Sequence, residues 1–205
     1  MPSLPITHIF FDLGNILVGL RSGDKLRALA RRSGLTLEVF CEKIWSHQRA
    51  HDYEKGLHSC EEYFRLLAED LDFTGPREEL QTAFCDIFYP LPERVVVARA
   101  LAKNYPLALI SNTCAAHVRH LESHFDFFPF FSEKIYSHEV GARKPDPRIY
   151  DIALERTGAD KEHSIFIDDL KENLTTPSRL GWHTLHLPPG ADLENALGQF
   201  EISTR

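Results

Sequence analysis

Five polar residues stand where apolar stretches of the sequence end. They follow the stretches IFF, LALI and IFI: Asp12; Ser111 and Asn112; Asp168 and Asp169. A lysine, Lys144, lies in a separate loop-like segment, GARKPDP (141–147). Carboxylates only a few ångströms apart cannot all stay ionised without positive charge nearby. If these residues meet, their site carries more negative charge than one lysine balances.

A divalent cation would supply the missing positive charge. Oxygen ligands, with no cysteine or histidine close in the sequence, favour a hard ion, and Mg²⁺ is the usual partner of phosphate groups. Carboxylates, a hydroxyl group, a lysine and a metal ion are together the parts of a phosphoryl-transfer site. This chemistry requires the polar residues to come together in space.

The hydrophobic pattern predicts the elements that could bring them together. Strands are expected at 6–11, 106–111, 133–136, 163–169 and 183–187. From about residue 93 onward these strands alternate with predicted helices, which favours a doubly wound, Rossmann-like α/β fold with a parallel sheet. Ligands of such sheets bind outside the carboxyl ends of the strands, where the polar residues fall.

The stretch from 20 to 89 predicts helices only. Within it, Ser59 and Glu62 form a capping-box pattern ahead of an apolar helix face. We therefore expect a small all-helical cap at 20–89, inserted after the first strand. The α/β core would then consist of residues 1–19 and 90–205.

Composition limits the class of partner. The 205-residue chain has a formal net charge of −7, which disfavours nucleic acid, because nucleic-acid phosphates require a basic surface. A local cationic pocket can still bind a small anion.

Neither a targeting signal nor a membrane-spanning run is visible, and the four cysteines lack disulfide or metal-type spacing. We expect a cytoplasmic monomer or homodimer that acts on a small phosphorylated metabolite.

Four segments together resemble one known family. The chain is identified as a member of the haloacid dehalogenase-like (HAD) hydrolase superfamily by motifs in the family's order: FFDLGN (10–15), ISNT (110–113), RKPDPRIY (143–150) and FIDDLKEN (166–173). Within the family, these motifs are similar to those of helical-cap phosphatases, including the branch of bacterial α-D-glucose-1-phosphate phosphatases. The resemblance implies Mg²⁺-dependent hydrolysis of a phosphate ester, with a sugar 1-phosphate as one candidate substrate.

The resemblance also implies a role for individual residues. Asp12 would be the nucleophile and would form an aspartyl-phosphate. Mg²⁺ would be bound by Asp12, Asp169 and the main-chain carbonyl of Gly14, with Asp168 supporting the ion through water. Ser111 and the main-chain amide of Asn112 would bind phosphate oxygens. Lys144 would bridge the phosphate and the nucleophile, and Asn173 would fix the loop of the last motif.

Gly14 is where the chain departs from the family pattern. Most phosphatases of the family carry a second aspartate at this position, which protonates the leaving group and then activates water. Acid–base catalysis contributes about 10²–10⁴-fold, so leaving groups that need little protonation are favoured: anomeric, acyl and aryl phosphates. The stretch SHQRAHDYEKG offers replacements, of which we favour Glu54 or His51: His47, His51, Asp52, Tyr53 and Glu54.

Gly14 also keeps alternatives to hydrolysis open. One is a catalytically weak or inactive HAD-like protein that binds a phosphometabolite or a protein partner, although the intact Asp12 and Lys144 speak against it. Another is phosphoryl transfer between sugars, which needs an acid–base group and is therefore less favoured. Three histidines share a helix face that could bind a transition metal, but a polar helix surface is the simpler interpretation: His117, His120 and His124.

Overall fold

Five parallel strands form the central sheet in a computed structural model of the chain, which describes residues 5–46 and 48–204. The strands of the described residues are β1 (His8–Phe11), β2 (Val18–Leu20), β3 (Phe88–Pro90), β4 (Leu107–Ser111), β5 (Glu133–Tyr136), β6 (Ser164–Asp168) and β7 (His183–His186). The sheet order is β5-β4-β1-β6-β7. The predicted doubly wound α/β fold is confirmed, with β1 at the centre of the sheet.

Helices connect the strands and cover the sheet. They are α1 (Asp24–Arg32), α2 (Leu37–Cys41), α3 (Gln48–Tyr53), α4 (Cys60–Asp70), α5 (Arg77–Cys85), α6 (Pro92–Leu101), α7 (Ala115–His124), α8 (Ser137–Val140), α9 (Pro147–Thr157), α10 (Lys171–Leu180) and α11 (Leu193–Leu197). A π-helical turn, Glu42–Ser46, continues α2, and short 3₁₀ turns lie at Phe128–Phe130, Lys161–His163 and Gly198–Phe200.

Local signals in the sequence explain where several helices begin. The hydroxyl of Ser59 accepts a hydrogen bond from the amide of Glu62 at 3.1 Å, as the capping-box pattern predicts. Asp146 accepts from the amide of Arg148 at 3.0 Å, and Pro147 occupies the first turn of α9. Each such cap stabilises its helix by about 1 kcal/mol.

Apolar side chains alternate between the two faces of the sheet. Phe10 and Phe166 pack under α9 and α10 with Tyr150 and Trp182. Their neighbours Phe11 and Ile167 point to the opposite face, into a second buried cluster. Because both faces are covered, the strands are apolar at nearly every position.

A third buried cluster belongs to the helices between residues 24 and 85, called here the helical segment. Phe40, Ile44, Tyr63 and Phe84 are among its buried side chains. Cys114, at the start of α7, joins the same cluster and is also buried. The helical segment therefore packs on the amino end of α7, next to the carboxyl end of β4.

The prediction of helices alone from 20 to 89 missed two short strands at its ends. Leu20 ends β2 and pairs with Phe88 of β3, and Val18 pairs with Pro90. Three-residue strands leave no alternating pattern to detect, and Phe88 also fits the helical spacing of the preceding residues. The pairing joins positions about seventy residues apart, which no local signal encodes.

The register of the sheet brings the predicted site residues to one edge. Phe11 of β1 lies level with Leu109 of β4 and with Ile167 of β6. Asp12 and Asp168 therefore end adjacent strands at the same height. None of the helices formed by the described residues is long and apolar enough to cross a membrane.

Candidate active site

Lys144 lies between two of the predicted carboxylates. Its Nζ is 2.7 Å from Oδ1 of Asp12 and 2.7 Å from Oδ2 of Asp168. The Lys144 and Asp168 side chains are fully buried, and Asp12 retains only a small opening to solvent. Removing charges from water is costly, so this arrangement persists because the lysine compensates both acids.

Burial and neighbouring charges shift the ionisation of this group. Burial raises the pKa of Asp12 to about 7, with Lys144 opposing the rise and Asp168 adding to it. Burial lowers the pKa of Lys144, but the carboxylates of Asp12 and Asp168 outweigh that effect and raise it above its ordinary value. Asp12 thus needs more positive charge than Lys144 supplies to be fully ionised at neutral pH.

Four hydrogen bonds, one of them from the Lys144 ammonium group, hold the Asp168 side chain in one orientation. Its Oδ1 accepts from the amide of Leu170 at 2.8 Å. The side-chain amide of Asn173 donates to both of its oxygens at 3.1 Å, and Lys144 donates to Oδ2 at 2.7 Å. Because both of its carboxylate oxygens already accept hydrogen bonds, Asp168 is suited to a supporting role at a metal site.

Asp169 completes a cluster of three carboxylates. One oxygen each of Asp12, Asp168 and Asp169 lies within 4.8 Å of the others, close enough to surround one ion. Burial raises the pKa of Asp169, and a 2.9 Å hydrogen bond from the side chain of Asn15 opposes the rise. An oxygen-only donor set with excess negative charge fits a hard divalent cation such as Mg²⁺.

The three histidines of α7 do not form a second metal cluster in the part of the chain that the structure describes. His117 is buried, with its ring stacked on Phe84 at 4.2 Å, and its Nε2 donates to the Phe84 carbonyl at 3.2 Å. The rings of His120 and His124 stack on each other at 4.1 Å. The helix face is thus partly a packing surface, which the polar sequence HVRHLESH did not reveal.

Asn112 fixes the segment that carries the lysine. Its side-chain amide donates to the Lys144 carbonyl at 3.0 Å, and its Oδ1 accepts from the Lys144 amide at 2.7 Å. Ser111, the last residue of β4, is buried beside it. The structure thus joins the second and third motifs directly, at the edge where Asp12 ends its strand.

A cavity of about 400 Å³ opens beside these residues. It lies between the sheet edge and the helical segment. Its polar lining residues are Arg21, Ser22, Glu54, Ser111, Asn112, Thr113 and His117, and its other lining residues are Leu13, Gly14, Leu20, Trp45, Ile87, Phe88 and Leu121. This size is that of a small-molecule site.

Glu54 is the candidate proton donor that lines this cavity among the described residues of the stretch 46–56. Its Oε2 accepts a 2.6 Å hydrogen bond from Nε of Arg143, the residue before Lys144. Tyr53 is buried, and its hydroxyl contacts the Cys60 sulfur at 2.9 Å instead. His51 and Asp52 lie on α3 and are not lining residues, and His47 lies outside the described residues.

A glycine allows the loop that carries Glu54 to approach the core. Gly56 has a φ of +73°, and a Cβ there would come within 2.2 Å of the His138 carbonyl oxygen. Any side chain would therefore both strain the backbone and push the loop away from α8. The close approach keeps Glu54 within reach of Arg143.

Three polar residues at the site were not singled out from the sequence. Arg143 stands beside Lys144 in the third motif, and Asn15 follows Gly14 in the first, so their positions offered a signal. Arg94 offered only a weaker one, as an arginine directly before the apolar stretch VVVARAL (95–101), which itself contains the exposed Arg99. Arg94 is buried, and its guanidinium donates to main-chain carbonyls near the site.

Comparison with known proteins agrees with these motifs. A family model described as haloacid dehalogenase-like hydrolase matches residues 6–177. A D-ribitol-5-phosphate phosphatase of Bacteroides thetaiotaomicron is 24% identical over 202 residues, covering 94% of this chain and 97% of its own. A pyrimidine 5'-nucleotidase of Escherichia coli is 29% identical over 177 residues, covering 80% and 78% of the two chains.

Solved structures share the fold. A HAD family enzyme of Bacteroides thetaiotaomicron, in complex with magnesium and inorganic phosphate, superposes with a TM-score of 0.81 at 22% identity, covering 93% of this chain and 98% of its own. A HAD-like hydrolase of Porphyromonas gingivalis gives a TM-score of 0.82 at 24% identity, covering 98% and 100%. At these identities the likeness establishes the common fold.

Proposed function

Because the chain belongs to the haloacid dehalogenase-like hydrolases, we propose that it is a Mg²⁺-dependent phosphatase that hydrolyses a small phosphorylated metabolite through Asp12. The observation that carries this proposal is the buried Lys144, which contacts Asp12 and Asp168 at 2.7 Å beside a third carboxylate. A binding protein has no need of so costly a group of charges. The phosphatases among its relatives support the same reaction class.

The residues that would hold Mg²⁺ are Asp12, Asp169 and the carbonyl of Gly14, with Asp168 supporting the ion through water. Bound there, Mg²⁺ would neutralise charge on the phosphoryl oxygens and on the carboxylates. Asp12, whose pKa burial raises to about 7, would then be ionised at neutral pH. Loading the site would thus raise the fraction of Asp12 that is ionised and competent as a nucleophile.

The reaction would proceed in two displacements at phosphorus. The Asp12 carboxylate forms a bond to phosphorus, the ester oxygen leaves with its electron pair, and an aspartyl-phosphate results. Water then attacks phosphorus, releasing phosphate and regenerating Asp12. Ser111 and the Asn112 amide would bind the phosphoryl oxygens, and Lys144 would stabilise the negative charge that they carry in both transition states.

The substrate's leaving group must suit a site with glycine at residue 14. We propose that anomeric, acyl or aryl phosphates are preferred, because their leaving oxygens need little protonation. The largely apolar wall formed by Leu20, Trp45 and Phe88 also favours a leaving group with an apolar face. The sugar 1-phosphate remains one candidate within this class.

Glu54 is our candidate for the group that activates water in the second displacement. It lines the cavity and is paired with Arg143 at 2.6 Å. From the cavity wall, its side chain can accept the proton of the attacking water. We further propose that residues 20–89 act as a cap that closes over the core of 1–19 and 90–205.

A panel of phosphate esters tests the proposed function. Wild-type protein is assayed for phosphate release with and without Mg²⁺, and Asp12→Asn serves as the control for contaminating phosphatases. We expect release that requires Mg²⁺ and disappears in the variant. No release from any ester would overturn the proposal and favour the alternative, a HAD-like protein that binds a phosphometabolite without turning it over.

A further inference from the structure

We propose that Arg94 and Asn15 are positioning residues for Asp169 and thereby set the affinity of the site for Mg²⁺. The inference rests on the proposed function only in taking Asp169 as a metal ligand. Neither residue lines the cavity of about 400 Å³, and of the two only Asn15 lies within one of the four motifs. The contacts that join them run from α6 through the loop after β1 to the carboxylate cluster.

Asn15 supplies the contact to the carboxylate. Its side-chain amide donates to Oδ2 of Asp169 at 2.9 Å. Lys144 reaches Asp12 and Asp168, so Asn15 is the neighbour that orients the third acid of the cluster. Aiming a carboxylate before the ion arrives reduces the entropy lost on binding, which is how outer-shell hydrogen bonds raise metal affinity.

The backbone of Asn15 has an uncommon conformation. Its φ is +52°, in the left-handed region that asparagine tolerates better than most residues. Its amide donates to the Val18 carbonyl at 2.7 Å, which closes a tight turn after Gly14. This turn sends the Asn15 side chain across to β6, and it leaves the Asn15 carbonyl facing α6.

Arg94 anchors that turn from the other side. Its guanidinium donates to the Asn15 carbonyl, to the Pro188 carbonyl at 3.1 Å and to the Ala191 carbonyl at 3.0 Å. The side chain is buried, and its three acceptors are neutral carbonyls. A buried guanidinium bound to uncharged acceptors is costly to desolvate, so its retention calls for a purpose beyond helix packing.

The positive charge of Arg94 also complements the cluster. Burial lowers the pKa of the Arg94 guanidinium, and the negative charges of Glu93 and Asp169 oppose that shift. Arg94 thus fixes the turn and places a positive charge near Asp169 without lining the cavity.

Mg²⁺ binding to the purified protein tests this inference without an activity assay. Affinity is measured by calorimetric titration, and the rise in melting temperature with Mg²⁺ is measured for each variant against its own metal-free value. The variants are Arg94→Met, Arg94→Lys and Asn15→Gly. Glycine accepts the positive φ, so the last variant removes the side chain without straining the turn. Arg99→Met is the matched control, because Arg99 is exposed on the same helix.

We expect roughly 10–100-fold weaker Mg²⁺ binding for Arg94→Met and Asn15→Gly, the range seen for outer-shell partners of metal ligands. Arg94→Lys should recover part of the loss, and Arg99→Met should bind like wild type. The double variant should lose less than the product of the single losses, because both changes act through one contact. Where Arg94→Met does not fold, Asn15→Gly carries the test.

Wild-type affinity in Arg94→Met or Asn15→Gly would overturn the inference, even where the metal-free melting temperature falls, because a packing role alone predicts that pattern. If wild-type protein binds Mg²⁺ but hydrolyses no ester, the proposed function fails and the inference is judged on the binding data alone. If wild-type protein binds no Mg²⁺, both fail.

Discussion

Glu54 of the helical segment is joined to Arg143, the neighbour of the buried Lys144, by a 2.6 Å hydrogen bond between Oε2 and Nε. The pair lies at the edge of the cavity, and each of the two side chains is about one quarter exposed. It connects the loop after α3 to the segment that carries Lys144. A group in this place can influence chemistry without contributing much to folding, because partly exposed pairs contribute about 0.2–1 kcal/mol.

Glu54→Gln should lower kcat by about 10²-fold, the lower end of an acid–base contribution. The amide can still accept from Arg143, so the free energy of unfolding should fall by less than about 1 kcal/mol. Steady-state kinetics with an aryl phosphate and urea unfolding measure the two effects. Glu61→Gln, an exposed glutamate on α4, is the control. An unchanged kcat in Glu54→Gln would remove Glu54 from the mechanism.

Gly14→Asp should restore a general acid and widen the range of substrates. A Cβ at Gly14 would meet Leu20 Cδ1 at 3.5 Å, an ordinary van der Waals distance, and the backbone of Gly14 lies outside the left-handed region. We expect turnover of alkyl phosphates to rise relative to aryl phosphates, by up to about 10²-fold. The ratio of kcat/KM for matched alkyl and aryl esters measures the change.

Gly14→Ala separates the carboxylate from the added bulk. It should leave the alkyl-to-aryl ratio of the wild type unchanged. Gly14→Asp with Leu20→Ala should show the larger gain, since Leu20 is the side chain that the new carboxylate would meet. If wild-type protein already hydrolyses alkyl esters as fast as aryl esters, the proposed substrate preference is wrong.

Lys144→Met should abolish activity and destabilise the metal-free protein. It leaves Asp12 and Asp168 buried without their shared cation, and breaking a buried pair costs about 3–5 kcal/mol. Mg²⁺ should recover part of this loss, because it supplies positive charge to the same acids. Chemical unfolding with and without Mg²⁺ measures both effects, with the exposed Lys103→Met as control. If Lys144→Met were as stable as the wild type in the absence of metal, the charge balance described for the site would be wrong.

His117 should make the stability of the fold fall in mild acid. Burial lowers its pKa from 6.5 to about 4, with the hydrogen bond to Phe84 opposing the shift. The folded protein therefore binds this proton more weakly than the unfolded chain. The associated stability is complete above about pH 6.5 and is lost as the pH falls toward 4, by about 2 kcal/mol at about pH 5.

The comparison of His117→Phe with wild type separates the effect of His117 on the pH dependence of stability from the effects of the acidic side chains. Urea unfolding at about pH 7.5 and about pH 5 should show a smaller loss of stability for the variant. Phenylalanine keeps the stacking on Phe84 and cannot be protonated. His124→Phe, which changes an exposed ring of the same helix, should behave like wild type. Equal losses in His117→Phe and wild type would contradict a buried neutral imidazole.

The sheet and its polar edge were predictable because their signals are local. Apolar runs marked β1, β4 and β6, and their polar ends placed Asp12, Ser111 and Asp168 at one edge once the strands were parallel. The charge balance among these residues also followed from residue type alone. Because the carboxyl ends of parallel strands lie at the same edge of a sheet, residues far apart in the sequence come close together there.

Contacts between distant segments could not be predicted in the same way. Glu54 and Arg143 are 89 positions apart, and Arg94 and Asn15 are 79 apart. Their pairing depends on how the helical segment and α6 pack on the sheet, which hydrophobic periodicity does not specify. His117 illustrates the same limit, since only tertiary packing turns a polar residue into a buried ring.

Trapping the phosphorylated enzyme tests the central claim most directly. Wild-type protein is mixed with an aryl phosphate and Mg²⁺, quenched in acid during turnover, digested and analysed by mass spectrometry. We predict a phosphoryl group on the peptide that contains Asp12, absent without Mg²⁺, absent in Asp12→Asn and removed by hydroxylamine. Full turnover with no phosphoryl group on Asp12, or turnover that survives in Asp12→Asn, would contradict the account.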